Sequence, residues 1–256
     1  MSLLQFYTKE NFSLETEGWG DVSSDEIIKL LENVITNFYE EFDNTLITNK
    51  PVYARNGNTC NPPLKSPFFK PNENYNDIYL TTRGRLWSQY SYQFAHELCH
   101  HVINSNMNTP CDRFGWLEES LCELASLYCI DKMSRTWKIN APFHNWKDYT
   151  EHFISYLKEV IEKPEHSITI PFKNCLKENI EELYKNRYKR TENCIIAINL
   201  LPMFKDRPEI WKTIQYFKKV NVTADMNLDE FMNNWRQFVP DKMKNYINDI
   251  EKLLNE

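Results

Sequence analysis

The chain contains the sequence His96-Glu97-Leu98-Cys99-His100, which has the form H-E-x-x-H. On a helix, residues four positions apart lie one above the other on the same face, about 6 Å apart along the axis. His96 and His100 can therefore reach the same metal ion. Glu97 is rotated off that line by about 100°, so its carboxylate is better placed for a water on the metal than for the metal itself. The motif predicts a helical zinc site with a carboxylate base beside it.

A third metal ligand is expected further along the chain, because catalytic zinc sites usually have three protein ligands and one open position. Residues 101–118, eighteen in all, separate His100 from Glu119. This gap is long enough to finish the first helix, turn through residues 106–115 and return on a second helix. The competing interpretation is that His96 and His100 are ordinary helix histidines and that the motif arose by chance.

With this gap, the chain resembles the gluzincins, the clan of thermolysin and aminopeptidase N, in which a Glu on the next helix completes the motif. The run Trp116-Leu117-Glu118-Glu119 is most similar to the aminopeptidase N branch. The runs at 94–100 and 116–123 are also similar to those of uncharacterised bacterial zinc-peptidase-like proteins. The resemblance rests on residues 93–126, and it implies a zincin-like fold, a bound Zn²⁺ and a peptide or protein substrate.

The resemblance favours Glu119 over Glu118 as the third zinc ligand. In gluzincins the ligand is followed at i+3 by a small residue and often at i+4 by an acid, and Glu119 is followed by Cys122 and Glu123 in this way. Glu123 is then expected to accept a hydrogen bond from an imidazole N–H and so to fix the tautomer of that ring. The alternative is that both acids are solvated. Thiolate ligation by Cys122 or Cys99 also stays open, although Cys99 lies off the histidine face and is better explained by packing.

The resemblance also implies a mechanism. A zinc-bound water attacks the peptide carbonyl, while Glu97 takes the proton of that water and passes it to the leaving amine. A Tyr or His on a later helix is expected to donate to the oxyanion, and Tyr188 is the preferred candidate. The neighbours of Tyr188 are the cations Arg187, Lys189 and Arg190, so a basic, solvated helix end is the competing explanation. The rival donors are Tyr184, His144 and His152.

Composition excludes several classes of function. The net charge of −6 and the pI near 5.6 argue against a nucleic-acid partner, which normally needs a basic surface. Only five glycines are present, and no Gly-rich phosphate loop is found among them. No stretch is apolar for long enough to cross a membrane. The seven cysteines show no disulfide spacing and the first residues show no secretory pattern, so we expect a cytoplasmic location. The sequence leaves the oligomeric state open.

Hydrophobic periodicity predicts an α+β fold that is mainly α. A capping box at Ser23–Glu26 begins a helix, and short strands are expected at 51–55 and 77–82. Residues 78–81 are candidates for an edge strand that binds substrate, or for an ordinary sheet strand. After the two zinc helices, further helices are expected at 146–162, 172–187, 191–204, 209–220, 228–238 and 241–254. We expect a zincin-like small N-terminal α/β lobe at 1–86 and a larger lobe at 87–256, which holds the zinc helices and the C-terminal helices.

Three functions are compatible with these patterns. The leading hypothesis is a zinc metallopeptidase in which His96, His100 and Glu119 hold the metal and Glu97 is the base. The choice between endopeptidase and exopeptidase stays open, because the Gly-x-Met-Glu-Asn element with which aminopeptidases grip a free amino terminus is missing. The second hypothesis is a catalytically inactive zinc-binding regulatory or interaction protein with the same fold. The third is a helical interaction module that binds no metal.

Overall fold

The computed structural model describes residues 3–7, 11–43, 45–46, 48, 50–105 and 112–255, and these form an α+β fold that is mainly α, as predicted. The turn expected at 106–115 falls largely on residues 106–111, which lie outside the described residues. The strands are β1 (Leu3–Gln5), β2 (Phe12–Glu15), β3 (Val52–Asn56), β4 (Phe68–Pro71) and β5 (Asn76–Leu80). The α-helices are α1 (Ser24–Tyr39), α2 (Trp87–Asn104), α3 (Gly115–Asn140), α4 (Thr150–Ile161), α5 (Phe172–Lys185), α6 (Arg190–Asp206), α7 (Leu228–Phe238) and α8 (Lys244–Asn255).

The chain divides into two compact units, each discontinuous in sequence. The first unit consists of Met1–Glu40, Thr48–His101 and Ala125–Lys158, and the second of Glu41–Ile47, Val102–Leu124 and Glu159–Glu256. The divisions pass through α2 and α3, so each of these helices contributes a part to both units. The predicted lobe boundary after residue 86 stays a prediction.

The first unit contains one mixed sheet, which in the described residues has five strands in the order β1-β2-β3-β5-β4. β2, β3 and β5 run parallel, whereas β1 and β4 are antiparallel to their neighbours. The prediction of an edge strand at 78–81 is wrong, because β5 pairs with β3 on one side and β4 on the other. β4 is the edge, within a Pro-rich stretch, and edge strands tolerate proline since the missing N–H can face away from the sheet.

α1 begins where the sequence predicted, and its first turn explains why. The Ser23 hydroxyl accepts a hydrogen bond from the Glu26 backbone N–H at 3.2 Å, while the Glu26 carboxylate accepts from the Ser23 backbone N–H at 3.0 Å. These two bonds satisfy donors that a helix start otherwise leaves without partners. The apolar face of α1 is fully buried, and Asn33 on the same helix accepts from the indole N–H of Trp137 on α3 at 2.6 Å.

The second unit is helical, and one part of it differs from the prediction. Residues 209–220 were predicted as α-helix, but Pro208–Lys219 forms a 3-10 helix. Trp211, Ile214 and Phe217 are buried at intervals of three residues, which matches the three residues per turn of a 3-10 helix. Around them, Phe231 stacks on Phe114 at 4.1 Å between ring centroids, and the Trp235 indole donates to a backbone carbonyl.

Within the described residues, we find no helix with the length and apolar character that a membrane span requires.

Candidate functional site

α2 carries the two motif histidines on one face, as the spacing predicted. The ring centroids of His96 and His100 lie 5.1 Å apart and the rings are tilted by 66°. His100 is buried and His96 is half-buried. The Phe69 ring, from edge strand β4, lies nearly parallel to the His100 ring at 6.1 Å. This stacking restricts the orientation of one of the two imidazoles.

Glu97 is the next residue after His96 on the same helix, and it exposes only 4% of its surface. Burying a carboxylate costs free energy unless other groups compensate for the lost water. Glu97 is thus a buried acid on the helix that carries the two motif histidines. Its placement, one step around the helix from a pair of potential metal ligands, suits a base that handles the proton of a metal-activated water.

A third donor on α3 joins the two imidazoles. The ligand atoms of His96, His100 and Cys122 all lie within 4.8 Å of one another. In a tetrahedral zinc site with bonds of 2.0–2.3 Å, the donor atoms are separated by about 3.5 Å, which is shorter than the 4.8 Å limit within which these atoms lie. Imidazole nitrogen and thiolate sulfur are both donors that zinc prefers, so the chemistry of the group is compatible with zinc. The bound zinc ion stays a prediction.

Two hydrogen bonds pair α2 with α3 on either side of this group. In the first unit, the Ser126 hydroxyl donates to the Tyr92 carbonyl at 2.8 Å. In the second unit, the Asn104 side-chain amide donates to Glu118 Oε1 at 2.8 Å. Within each unit, a hydrogen bond thus joins its part of α2 to its part of α3.

Glu119, the predicted third ligand, is buried, and it lies three positions before Cys122 on α3. Residues at i and i+3 lie on the same side of a helix, so the Glu119 carboxylate projects from the face that carries the Cys122 thiol. Arg187 Nε donates to Glu119 Oε1 at 2.9 Å, and Arg187 Nη2 lies 2.9 Å from the same oxygen. Ligation by Glu119 stays a prediction.

The neighbouring acid, Glu118, has different surroundings. It is buried, and its Oε2 lies 2.7 Å from Lys218 Nζ and 3.2 Å from Arg187 Nη2, in addition to the contact of its Oε1 with Asn104. Burial by itself would lower the pKa of Arg187, but attraction to Glu118 and Glu119 outweighs burial and raises this pKa above the usual range. Glu118 is thus held by two cations and an amide, an arrangement typical of a buried structural ion pair.

Glu123 is also buried on α3. Burial, and then the charge of Glu123, raise the pKa of the Cys194 thiol to about 12, so in the second unit Glu123 lies close enough to Cys194 to affect it. The Cys194 sulfur is 3.6 Å from His166 Nδ1. The predicted hydrogen bond between Glu123 and a metal-binding imidazole stays a prediction.

The candidates for the oxyanion donor occupy different surroundings. Tyr188 lies between α5 and α6 with 66% of its surface exposed, and the Arg187 guanidinium is 5.6 Å from its ring centroid. Tyr184 is half-buried on α5, with the Arg113 guanidinium 3.9 Å from its ring centroid and the Phe114 ring against its edge. His152 packs against Tyr149, and His144 begins a 3-10 turn. The role predicted for Tyr188 stays a prediction.

His101, next to the motif, is a packing residue of the first unit. It is fully buried, its Nδ1 accepts from the Asn76 side-chain amide at 2.8 Å, and the Phe12 ring packs against it. Burial, and then the charge of Lys50, lower the pKa of His101 to about 3, so the ring is neutral at physiological pH. These contacts give His101 a structural function.

Two neighbours of the site did not emerge from the sequence as such. Arg187 was considered only as a cation beside Tyr188, and Phe69 was not considered at all. The Arg187 contact joins residues 68 positions apart, and no local pattern could have indicated it. By contrast, the sequence already left thiolate ligation by Cys122 open, and its i+3 spacing after Glu119 favours Cys122 over Cys99.

A scan against models of known protein families finds no match for this chain, and a search among curated proteins finds no significant relative.

Proposed function

We propose that the protein is a zinc-dependent peptidase of the gluzincin type, acting on peptide or protein substrates in the cytoplasm. The observation that carries this proposal is that the ligand atoms of His96, His100 and Cys122 lie within 4.8 Å of one another, with Glu97 buried next to His96. The odd number of cysteines, seven without disulfide spacing, supports a reducing compartment.

His96, His100 and Glu119 would hold the metal, with Cys122 adjacent. A zinc ion so held lowers the pKa of a water molecule and polarises the substrate carbonyl. The Phe69 ring keeps the His100 imidazole oriented. In this proposal, Glu123 accepts the imidazole N–H that is not used for binding, which selects the tautomer that presents the other nitrogen.

Glu97 performs the proton transfers. Its carboxylate accepts a proton from the attacking water, and it then donates this proton to the nitrogen of the leaving amine. Tyr188 is proposed to donate its phenol proton in a hydrogen bond to the oxygen that gains negative charge. The burial of Glu97 favours this cycle, because a carboxylate kept from bulk water exchanges its proton with the reacting groups.

Edge strand β4 supplies a place for an extended peptide. Its inner side pairs antiparallel with β5, and its outer side is the sheet edge. A substrate could add to this edge through backbone hydrogen bonds, which bind many sequences with similar affinity. Phe69, which stacks on His100, belongs to β4, so a peptide on this strand would be near the motif.

The test is peptide hydrolysis by the zinc-loaded wild-type protein and by Glu97→Gln, measured on a mixed peptide library by mass spectrometry. Loss of the base should reduce turnover by about 10²- to 10⁴-fold and leave the zinc content unchanged. The matched control is Glu151→Gln, which neutralises an exposed acid on α4 and should retain wild-type turnover. Full activity of Glu97→Gln would refute the mechanism.

Cys122 favours a second function, that of a catalytically inactive zinc-binding regulatory or interaction protein. If the thiolate binds zinc together with His96, His100 and Glu119, four protein ligands close the coordination sphere, as in structural zinc sites. Cobalt substitution distinguishes the two functions. A thiolate-to-cobalt charge-transfer band that disappears in Cys122→Ser, together with no detectable hydrolysis, would establish the closed site and exclude the peptidase.

A further inference from the structure

We propose that Arg187 is a positioning residue that holds the Glu119 carboxylate in place to bind the metal. This inference rests on the proposed function, in which Glu119 is the third ligand. Arg187 directs both Nε and Nη2 to a single oxygen, Oε1, at 2.9 Å each. Two donors on one oxygen restrict the position of that oxygen more tightly than one donor would, and both bonds are charge-assisted.

The ion pair between Arg187 and Glu119 is largely buried, which strengthens its contribution. The Arg187 side chain exposes 18% of its surface and the Glu119 side chain 11%. Exposed ion pairs contribute little because water and salt screen them, whereas a mostly buried pair is screened much less. The contact should therefore hold Glu119 in one orientation whether or not a metal is bound.

Arg187 is itself held from the backbone side. The Asn193 side-chain amide, on α6, donates to the Arg187 carbonyl at 2.6 Å, and Asn193 is buried. The Ser120 hydroxyl lies 3.5 Å from Asn193 Oδ1, and Ser120 is the residue after Glu119 on α3. These contacts link Glu119 to Arg187, Arg187 to Asn193, and Asn193 to Ser120. Because Ser120 is next to Glu119 on α3, the contacts form a closed ring.

The start of α3 also limits the position of Arg187. A Cβ atom built on Gly115 would approach the Arg187 Cβ to 3.1 Å and the Asp112 carboxylate to 2.5 Å. Any larger residue at 115 would therefore displace them. Asp112, which is more than half exposed, lies 2.5 Å from Arg187 Nη1 and takes the outer side of the guanidinium. Glu119 takes the inner side.

A role in stability alone would explain a buried ion pair, so the experiment must separate metal binding from folding. Lysine retains the charge at 187 but cannot place two donors on one oxygen with the rigid geometry of a guanidinium. Arg187→Lys is therefore the charge-preserving variant, and Arg187→Met removes both charge and geometry. Arg190→Met is the matched control, because Arg190 is an exposed cation three residues along the chain.

The measurement is the zinc dissociation constant, obtained by competition with a chromophoric chelator, beside the melting temperature of each metal-free variant. Loss of a group that orients a ligand typically weakens metal binding about 10- to 100-fold, which is the effect expected for Arg187→Met. Arg187→Lys should be intermediate and Arg190→Met unchanged. In a Glu119→Ala background, Arg187→Met should weaken zinc binding no further, since the two residues act through the same contact.

Wild-type zinc affinity in folded Arg187→Lys and Arg187→Met would overturn this inference and leave the proposed function intact. The same conclusion follows if Arg187→Met weakens binding equally with and without Glu119. If Arg187→Met does not fold, Arg187→Lys alone provides the test. Weaker zinc binding by Arg187→Lys, together with an unchanged melting temperature of the metal-free variant, would then support the inference. Wild-type protein that binds no zinc would overturn the proposed function together with this inference.

Discussion

Glu118 and Glu119 are adjacent acids that the structure places in different surroundings. Glu118 contacts Lys218, Arg187 and Asn104, whereas one oxygen of Glu119 lies 2.9 Å from two nitrogens of Arg187. The spacing of the motif and the acids that follow it were enough to nominate the ligands and the base. The cations that surround Glu118 and Glu119 could not be predicted, because they come from residues distant in sequence whose approach depends on how α5, α6 and the 3-10 helix pack.

A cysteine near the site gives a prediction at the residue scale. Burial raises the pKa of Cys194 to about 12, so at pH 8 almost all of this thiol is in the neutral, unreactive form. Iodoacetamide should label the half-buried Cys60 well before Cys194, and raising the pH from 8 to 9 should increase the labelling rate of Cys194 about tenfold. Peptide mapping after timed labelling measures both rates. Equal labelling rates for the two thiols at pH 8 would show that Cys194 is neither buried nor raised in pKa.

At the scale of elements, local signals predicted α1, α2 and α7 closely, because the apolar residues of each helix recur within a few positions of one another, and α1 also begins with a capping box. The sheet was predicted less well. Sequence patterns predicted neither β1, β2 nor β4, since short strands are stabilised by partner strands elsewhere in the sequence. The wrong edge assignment for β5 followed from overlooking β4.

The cap of α1 should have a measurable effect on stability. Ser23→Ala removes the side-chain oxygen that accepts from the Glu26 backbone N–H, and it should lower the free energy of unfolding by about 1 kcal/mol. Urea denaturation followed by circular dichroism is a suitable measurement. As a control, Ser167→Ala changes an exposed serine outside the α-helices and should stay within about 0.5 kcal/mol of the wild type. A loss as large in the control as in Ser23→Ala would argue against the cap.

At the scale of the whole molecule, a metal held by residues of α2 and α3 would link metal binding to folding. A ligand that binds only the folded state stabilises it by about 2.7 kcal/mol when its free concentration is 100 times the dissociation constant. For a chain of this size we expect the melting temperature to rise by about 5–10 °C with zinc and to be insensitive to magnesium, a cation that prefers oxygen ligands. The double variant His96→Ala/His100→Ala should show no such rise, and an equal rise in both proteins would point to zinc binding elsewhere.

We propose that His96, His100 and Glu119 together hold a zinc ion. The most direct test is the metal content of the purified protein after dialysis without chelator, measured by mass spectrometry for the wild type, His96→Ala and Glu119→Ala. We expect equimolar zinc in the wild type and its loss, or strong reduction, in both variants. A wild-type protein without zinc, even when zinc is supplied during expression, would rule out this metal site and favour a helical interaction module in which the motif occurs by chance.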